Sequence, residues 1–161
     1  VIKYAMELIF LGTSSMIPTE SRNHFSNLLL YKDEGILIDC GENTQRQLRI
    51  AKIPVTKITK ILITHWHGDH VLGLPGVLQS LEKHQYNKSL EIYGPKGSKK
   101  YFSHMFRGFD YRIKIKYKLT EINKRIFFKN NDFSLEALKL DHSIPCLGYS
   151  FIENDKRKIN S

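Results

Sequence analysis

Cysteine is scarce in this chain. Cys40 and Cys146 are the only two, too few and too far apart for a disulfide framework, and no CxxC spacing offers the thiolate pairs of a structural zinc ribbon. Long apolar runs are missing as well. No stretch approaches the roughly 20 residues that a membrane-spanning helix needs, and the opening residues Val1-Ile2-Lys3-Tyr4-Ala5 lack the apolar core of a secretory signal. Both absences point to a soluble protein in a reducing, cytoplasmic setting with no membrane partner. Acidic residues are also in deficit, with 16 Asp and Glu against 25 Lys and Arg and a formal charge of +9. A surface of that sign attracts polyanions and hastens their encounter by long-range steering, which makes nucleic acid the leading partner class. Neither an internal repeat nor a low-complexity linker divides the 161 residues, and 41% hydrophobic content is enough for a core. The chain therefore reads as one domain, or one part of a larger one.

What is present alternates between strand and helix spacings. Glu7 to Leu11 is a short apolar run closed by Gly12 and Thr13-Ser14-Ser15, a buried strand followed by a loop through Pro18 to Asn23. Asn27 to Tyr31 and Gly35 to Asp39 predict an antiparallel hairpin turning at Lys32-Asp33-Glu34. Glu42 to Lys52 has helical spacing that Pro54 stops. Lys60 to Thr64 predicts a compact strand, Val71 to Lys83 a helix, Leu90 to Tyr93 a strand, and Ser98 to Phe106 a short helix after the turn Gly94-Pro95-Lys96-Gly97. Tyr111 to Lys118 alternates strictly, which predicts a strand whose basic face carries Lys114, Lys116 and Lys118. Ile126 to Lys129, Phe133 to Leu140 and Gly148 to Ile152 add strands, and Glu153 to Lys158 is a polar run with no core to join. Strands interspersed with helices imply an α/β layered architecture.

The chemistry concentrates in Thr64-His65-Trp66-His67-Gly68-Asp69-His70. Residues two apart in an extended segment point the same way, so His65 and His67 can aim two imidazoles at one ion, and the turn at Gly68 redirects Asp69 and His70 toward a neighbouring position. Imidazole with carboxylate favours zinc or another divalent first-row ion over calcium or magnesium. One short segment leaves a metal incompletely coordinated. His142, at the end of the strand through Leu138 and Leu140, is the candidate for a third nitrogen beside His65 and His67. His84 lies at a helix end, His104 on a helix surface, and His24 in the loop after the first strand. Asp39 and Asp141, at strand ends, read either as acceptors that set the tautomers of ligating imidazoles or as ordinary strand-end aspartates.

The pattern His65-Trp66-His67-Gly68-Asp69-His70 resembles the H-x-H-x-D-H signature of the metallo-β-lactamase superfamily. Within that superfamily the chain looks most like the ribonuclease Z family, the tRNA 3′-processing endonucleases. Phe10-Leu11-Gly12-Thr13-Ser14-Ser15, Arg22-Asn23, Asp39-Cys40-Gly41-Glu42 with Gln45-Arg46-Gln47, Gly73-Leu74-Pro75-Gly76 and Tyr93-Gly94-Pro95 carry that likeness, in order, from Met6 onward. The resemblance implies a metallo-β-lactamase-like αββα sandwich, with residues 1–161 as about its N-terminal half, and two zinc ions at the strand ends. It assigns His65, His67 and His142 to one zinc, and Asp69 with His70 to the other. Relatives add a bridging aspartate, a further zinc histidine and a histidine general acid later in the chain, which have no counterpart here.

It also implies removal of the 3′ trailer from precursor tRNA by metal-activated water, with Asp69 orienting that water as base, Arg22 near the tRNA 3′ end, and a homodimer. Lys114 and Lys116 read as contacts for a phosphate backbone, or as charges guarding an edge strand. The rival readings are another hydrolase of the fold, such as a phosphodiesterase or arylsulfatase, and a catalytically silent RNA-binding fragment.

Overall fold

A computed structural model describes residues 6–154. Its larger sheet has six strands in chain order: β1 (Glu7–Gly12), β2 (Ser26–Tyr31), β3 (Glu34–Ile38), β4 (Lys60–Leu62), β5 (Leu90–Gly94) and β6 (Tyr117–Glu121). The first three pair antiparallel, and β3 to β6 run parallel. Helices make the crossovers between parallel strands: α1 (Thr44–Ile50), then α2 (Gly68–Val71) with α3 (Leu74–Lys83), then α4 (Ser98–Arg107). A smaller antiparallel sheet follows, β7 (Ile126–Lys129), β8 (Phe133–Leu140) and β9 (Cys146–Glu153).

Alternation along the strands builds two cores, because adjacent side chains leave a sheet by opposite faces. Leu28, Leu37, Ile61 and Ile92 pack with Leu48, Leu74, Leu78 and Phe102 of the helices, whereas their neighbours Leu29, Ile36, Leu62 and Tyr93 pack with Phe133 and Leu135 of the small sheet. The described residues thus form three layers, helix, sheet and sheet, of the metallo-β-lactamase-like sandwich. On the outward face of the third layer Leu138 and Leu140 remain 54% and 53% exposed. Lys60, almost fully buried at the start of β4, is tied to Glu34 at 2.9 Å and Glu91 at 3.5 Å, so burial of its charge is matched on both flanking strands. No helix among the described residues is long and apolar enough to cross a membrane.

Four sequence expectations need correction. The strand β1, expected to be buried, lies at the sheet edge with Leu8 and Phe10 exposed. Tyr111 to Lys118 alternates in burial, with Ile115 buried and Lys114 and Lys116 exposed, but only Tyr117 onward is a strand. Among the described residues its one neighbour is β5, which begins at Leu90 opposite Tyr117, so no described strand pairs with residues 111–116. The helix expected over Val71 to Lys83 breaks at Leu72-Gly73, and α1 ends at Ile50, short of Lys52. The break at Gly73 is imposed by close packing: its N–H donates to the Cys40 carbonyl at 2.9 Å, and an added Cβ would lie 2.1 Å from the Gly41 carbonyl oxygen.

Gly73→Ala is therefore expected to destabilise the chain by about 1–3 kcal/mol. Gly76→Ala, whose Cβ meets the end of the Gln45 side chain, should be neutral or slightly stabilising, since alanine favours a helix over glycine. Urea unfolding of both variants checks the contrast.

Candidate metal centre

The parallel strands all end on one side, and the open end of such a sheet is where ligands bind in α/β folds. Asp39 follows β3, Thr64 and His65 follow β4, and Pro95 follows β5. The register places Ile38 opposite Leu62, and the Asp39 N–H donates to the Leu62 carbonyl at 2.9 Å. This brings the Asp39 side chain, fully buried, beside Thr64. Asp39 adopts φ +57°, a left-handed conformation that aspartate tolerates better than most residues.

Asp39 receives three hydrogen bonds. The Thr64 N–H donates to Oδ1 at 2.7 Å, the Thr64 hydroxyl donates to Oδ2 at 2.7 Å, and His70 Nδ1 lies 2.7 Å from Oδ2. A carboxylate only accepts, so His70 carries its proton on Nδ1 and leaves Nε2 free to ligate. The Thr64 oxygen is also 2.8 Å from His65 Nδ1. Its hydrogen is already given to Asp39, so it accepts from His65, whose Nε2 is likewise freed. One buried carboxylate thereby sets two imidazole tautomers, one directly and one through a hydroxyl.

The three histidines assigned to one ion do converge. His65, His67 and His142 offer ligand atoms all within 4.8 Å of one another, and His142 Nε2 lies 3.3 Å from His67 Nδ1. Two nitrogens each about 2.1 Å from a tetrahedral zinc stand roughly 3.4 Å apart, so the separation suits a shared ion. His142 arrives from 75 residues away because β9 is tied to the end of β4. The Leu147 N–H donates to the Thr64 carbonyl at 2.9 Å and the Tyr149 hydroxyl to the Ile63 carbonyl at 2.6 Å. Asp69 and His70, in the one-turn helix α2, bring Oδ2 and Nε2 to 3.4 Å. That separation would let both approach one ion, and the rings of His65 and His70 are centred 4.1 Å apart. Imidazoles and a carboxylate gathered this way fit zinc-class ions.

Burial, followed by the nearby rings of His70, His142 and His67, lowers the His65 pKa from 6.5 to about 4, keeping the ring neutral and able to ligate. His70 is shifted upward: burial works against it, but the Asp39 bond and the charges of Asp39 and Asp69 outweigh burial. Burial pushes the Asp39 carboxyl up, opposed by His70 and Thr64. With metal chelated, a histidine depressed when folded takes a proton more readily when unfolded. Its contribution to stability is therefore intact above pH 6.5 and is lost between 6.5 and about 4. The raised His70 contributes fully below 6.5 and loses its contribution at higher pH. Over pH 6.5 to 4, wild type should lose on the order of 2 kcal/mol more than His65→Gln, measured by urea unfolding in EDTA.

Other residues fall outside the cluster. His24 is buried and its Nε2 is 3.1 Å from the Met16 carbonyl, which staples the β1–β2 loop. His84 Nδ1 lies 2.8 Å from the Ser80 carbonyl at the end of α3, and His104 lies on α4. Asp141 is exposed and lines the cavity beside His142. Arg22 is exposed in the β1–β2 loop, where its N–H bonds the Thr19 hydroxyl at 3.0 Å. Lys114 stands 3.3 Å from Glu82 of α3, and Lys114 and Lys116 line neither cavity next to His142. Burial raises both thiols, Cys40 and Cys146, so neither is a ready nucleophile.

Sequence reasoning gave Thr64 no role, because a hydroxyl that relays a hydrogen bond has no spacing rule. Phe25, whose ring centre is 5.3 Å from that of His70, was missed for the same reason.

Comparison with known proteins yields a match to the family model described as anti-Pycsar protein Apyc1, over residues 6–157. Ribonuclease Z of Nanoarchaeum equitans is 44% identical over 154 residues, 95% of this chain and 48% of that protein. The chain thus spans about half the length of the curated relatives it matches. The crystal structure of the short form of human tRNase Z superposes with a TM-score of 0.82 at 31% identity, over 91% of this chain and 64% of that one. The metallo-β-lactamase fold protein YhfI from Bacillus subtilis superposes with a TM-score of 0.74 at 19% identity, over 92% and 58% respectively, which bears on the fold alone.

Proposed function

This chain belongs to the family described as anti-Pycsar protein Apyc1 and, within the metallo-β-lactamase fold, to the relatives of ribonuclease Z; from that premise we propose that it supplies about half of a zinc-dependent endoribonuclease that removes the 3′ trailer of precursor tRNA. The observation that supports this best is the convergence of His65, His67 and His142 within 4.8 Å, beside a second pair, Asp69 and His70.

His65, His67 and His142 would hold one zinc, and Asp69 with His70 would contribute to a second. Bound there, zinc acidifies water and neutralises charge on a phosphate oxygen. The chain's own residues do the rest. Asp39 and Thr64 keep the Nε2 lone pairs of His70 and His65 directed at the centre. Asp69, largely buried in the first turn of α2, orients the attacking water and accepts its proton. Arg22 contacts the RNA 3′ end, and Lys114 and Lys116 add long-range attraction for the polyanion. The bridging aspartate, remaining zinc histidine and acid histidine that the resemblance calls for come from a part of the enzyme these residues do not include. The resemblance extends the proposal to a cytoplasmic homodimer.

Zinc titration with elemental analysis tests the centre: at least one ion per chain is expected, lost on substitution of His65. Incubation of the complete zinc-loaded enzyme, these residues together with the part that carries the remaining ligands, with a precursor tRNA and with an aryl phosphodiester tests the substrate, since this chain alone is not expected to cut. Trailer release supports the proposal, and ester cleavage without trailer release transfers the assignment to another hydrolase of the fold. RNA binding with neither zinc uptake nor cleavage identifies a silent binding fragment.

A further inference from the structure

A cavity of about 470 Å³ runs under the β8–β9 loop, with His142 on its wall and Lys96 and Lys139 at its sides. It shares Lys96, Ile122, Lys139 and Leu147 with a larger cavity of about 860 Å³ that continues past Lys118 and Lys124 to Arg125. The two form one trough that starts at the histidine centre and leaves between β6 and the small sheet. We infer that this trough carries the phosphodiester backbone of an unpaired RNA strand to or from the centre, an assignment that rests on the ribonuclease reading above.

Charge is the first support. Lys96, Lys118, Lys124 and Lys139 line the trough, and among the described residues none of them makes an ion pair. Arg125 is held by Glu136 at 2.7 Å, the Glu121 carboxylate is engaged by the Lys99 backbone N–H at 2.9 Å, and the exposed Asp141 is the other carboxylate in the lining, so lysine outnumbers free carboxylate along the groove. Four unneutralised ammonium groups along one groove raise the local concentration of an anionic strand.

Shape is the second support. The floor between the lysines is apolar, with Ile122, Ala137 and Leu147, and apart from the His142 imidazole the lining of either cavity includes no aromatic ring. With lysines at its sides and no Phe, Tyr or Trp to stack on, a groove of this kind holds phosphates more than it reads bases. From Ala137 to Leu140 the wall follows β8 for about 10 Å at strand rise and then continues through Asp141 to His142. Lys118 belongs to this groove, whereas Lys114 is turned to Glu82 at 3.3 Å. The basic stripe written in the sequence is therefore divided between two faces.

The test measures binding of a fluorescein-labelled 12-nucleotide unstructured RNA by the intact chain, in EDTA so that nothing is cut, across a salt series. The triple variant Lys96→Glu, Lys124→Glu, Lys139→Glu changes only exposed residues. Lys57→Glu, Lys83→Glu, Lys88→Glu makes the same charge change at the opposite end of the parallel strands. The trough variant should bind at least roughly tenfold more weakly, with the slope of log K against log salt smaller by about 2, while the control keeps most of both.

Equal weakening in the two variants would overturn the inference, since net charge alone would then account for binding. So would full retention by the trough variant, or no binding by wild type. Zinc uptake by His65, His67 and His142 is read separately on the same proteins. Its failure defeats the ribonuclease reading without touching the trough result, and its success beside a failed trough leaves that reading standing.

Discussion

Saturating zinc is expected to raise the thermal midpoint of this chain by roughly 8–16 °C. A ligand present at about a thousand times its dissociation constant adds about 4 kcal/mol to the folded state, and for a chain of this size each kcal/mol moves the midpoint by about 2–4 °C. The effect should vanish in EDTA. His142→Ala is the most informative variant, because His142 is exposed on the β8–β9 loop and its loss should leave the metal-free fold intact. If three imidazoles share the ion, losing one should weaken zinc binding about 100-fold, a few kcal/mol out of the 10–16 kcal/mol typical of a complete structural site. His65→Ala should weaken it as much and also remove a buried ring. His84→Ala, away from the cluster, should change neither. A zinc-induced stabilisation that survives in His142→Ala would place the ion elsewhere.

The second large effect is expected at Asp39. Asparagine there preserves shape and tolerates the left-handed backbone, but it removes the negative charge that holds the His70 Nδ1 proton and competes for the Thr64 hydroxyl. Zinc affinity should fall 10–100-fold, the range seen when a group orienting a metal ligand is lost. Asp39→Ala should in addition destabilise the metal-free chain by about 3–5 kcal/mol, because three donors lose a buried partner at once. Thr64→Val separates the two arms of the device. It breaks the relay to His65 while leaving the direct bond from Asp39 to His70, so it should weaken zinc binding by less than Asp39→Asn. Calorimetric zinc titration beside urea unfolding reads affinity and stability independently. Unchanged zinc affinity in Asp39→Asn would show that the tautomers are set without the carboxylate.

Much of this could be read directly from the chain. The hairpin of β2 and β3 and the strand running into the histidines appear where local spacing puts them, because turn residues and apolar alternation act over a few positions. Tyr111 to Lys118 shows the limit: its alternation is real in burial, yet a strand also needs a neighbour, and β5 offers none before Leu90. The break at Gly73 was hidden for a related reason, since helical spacing from Val71 onward says nothing of a carbonyl that would lie 2.1 Å from a new Cβ.

By itself the sequence determined the α/β order and set imidazoles and a carboxylate beside the turn at Gly68, because these are local properties. Asp39 and His142 stand in the sequence as candidates, and only the tertiary structure decided that they reach this cluster. Asp39 reaches Thr64 across 25 residues and His70 across 31, and His142 meets His67 across 75. Those meetings depend on the parallel register of β3 with β4 and on the anchoring of β9 to the end of β4. Hydrogen bonds and packing between segments far apart in the chain create that register, and no short stretch of residues contains it.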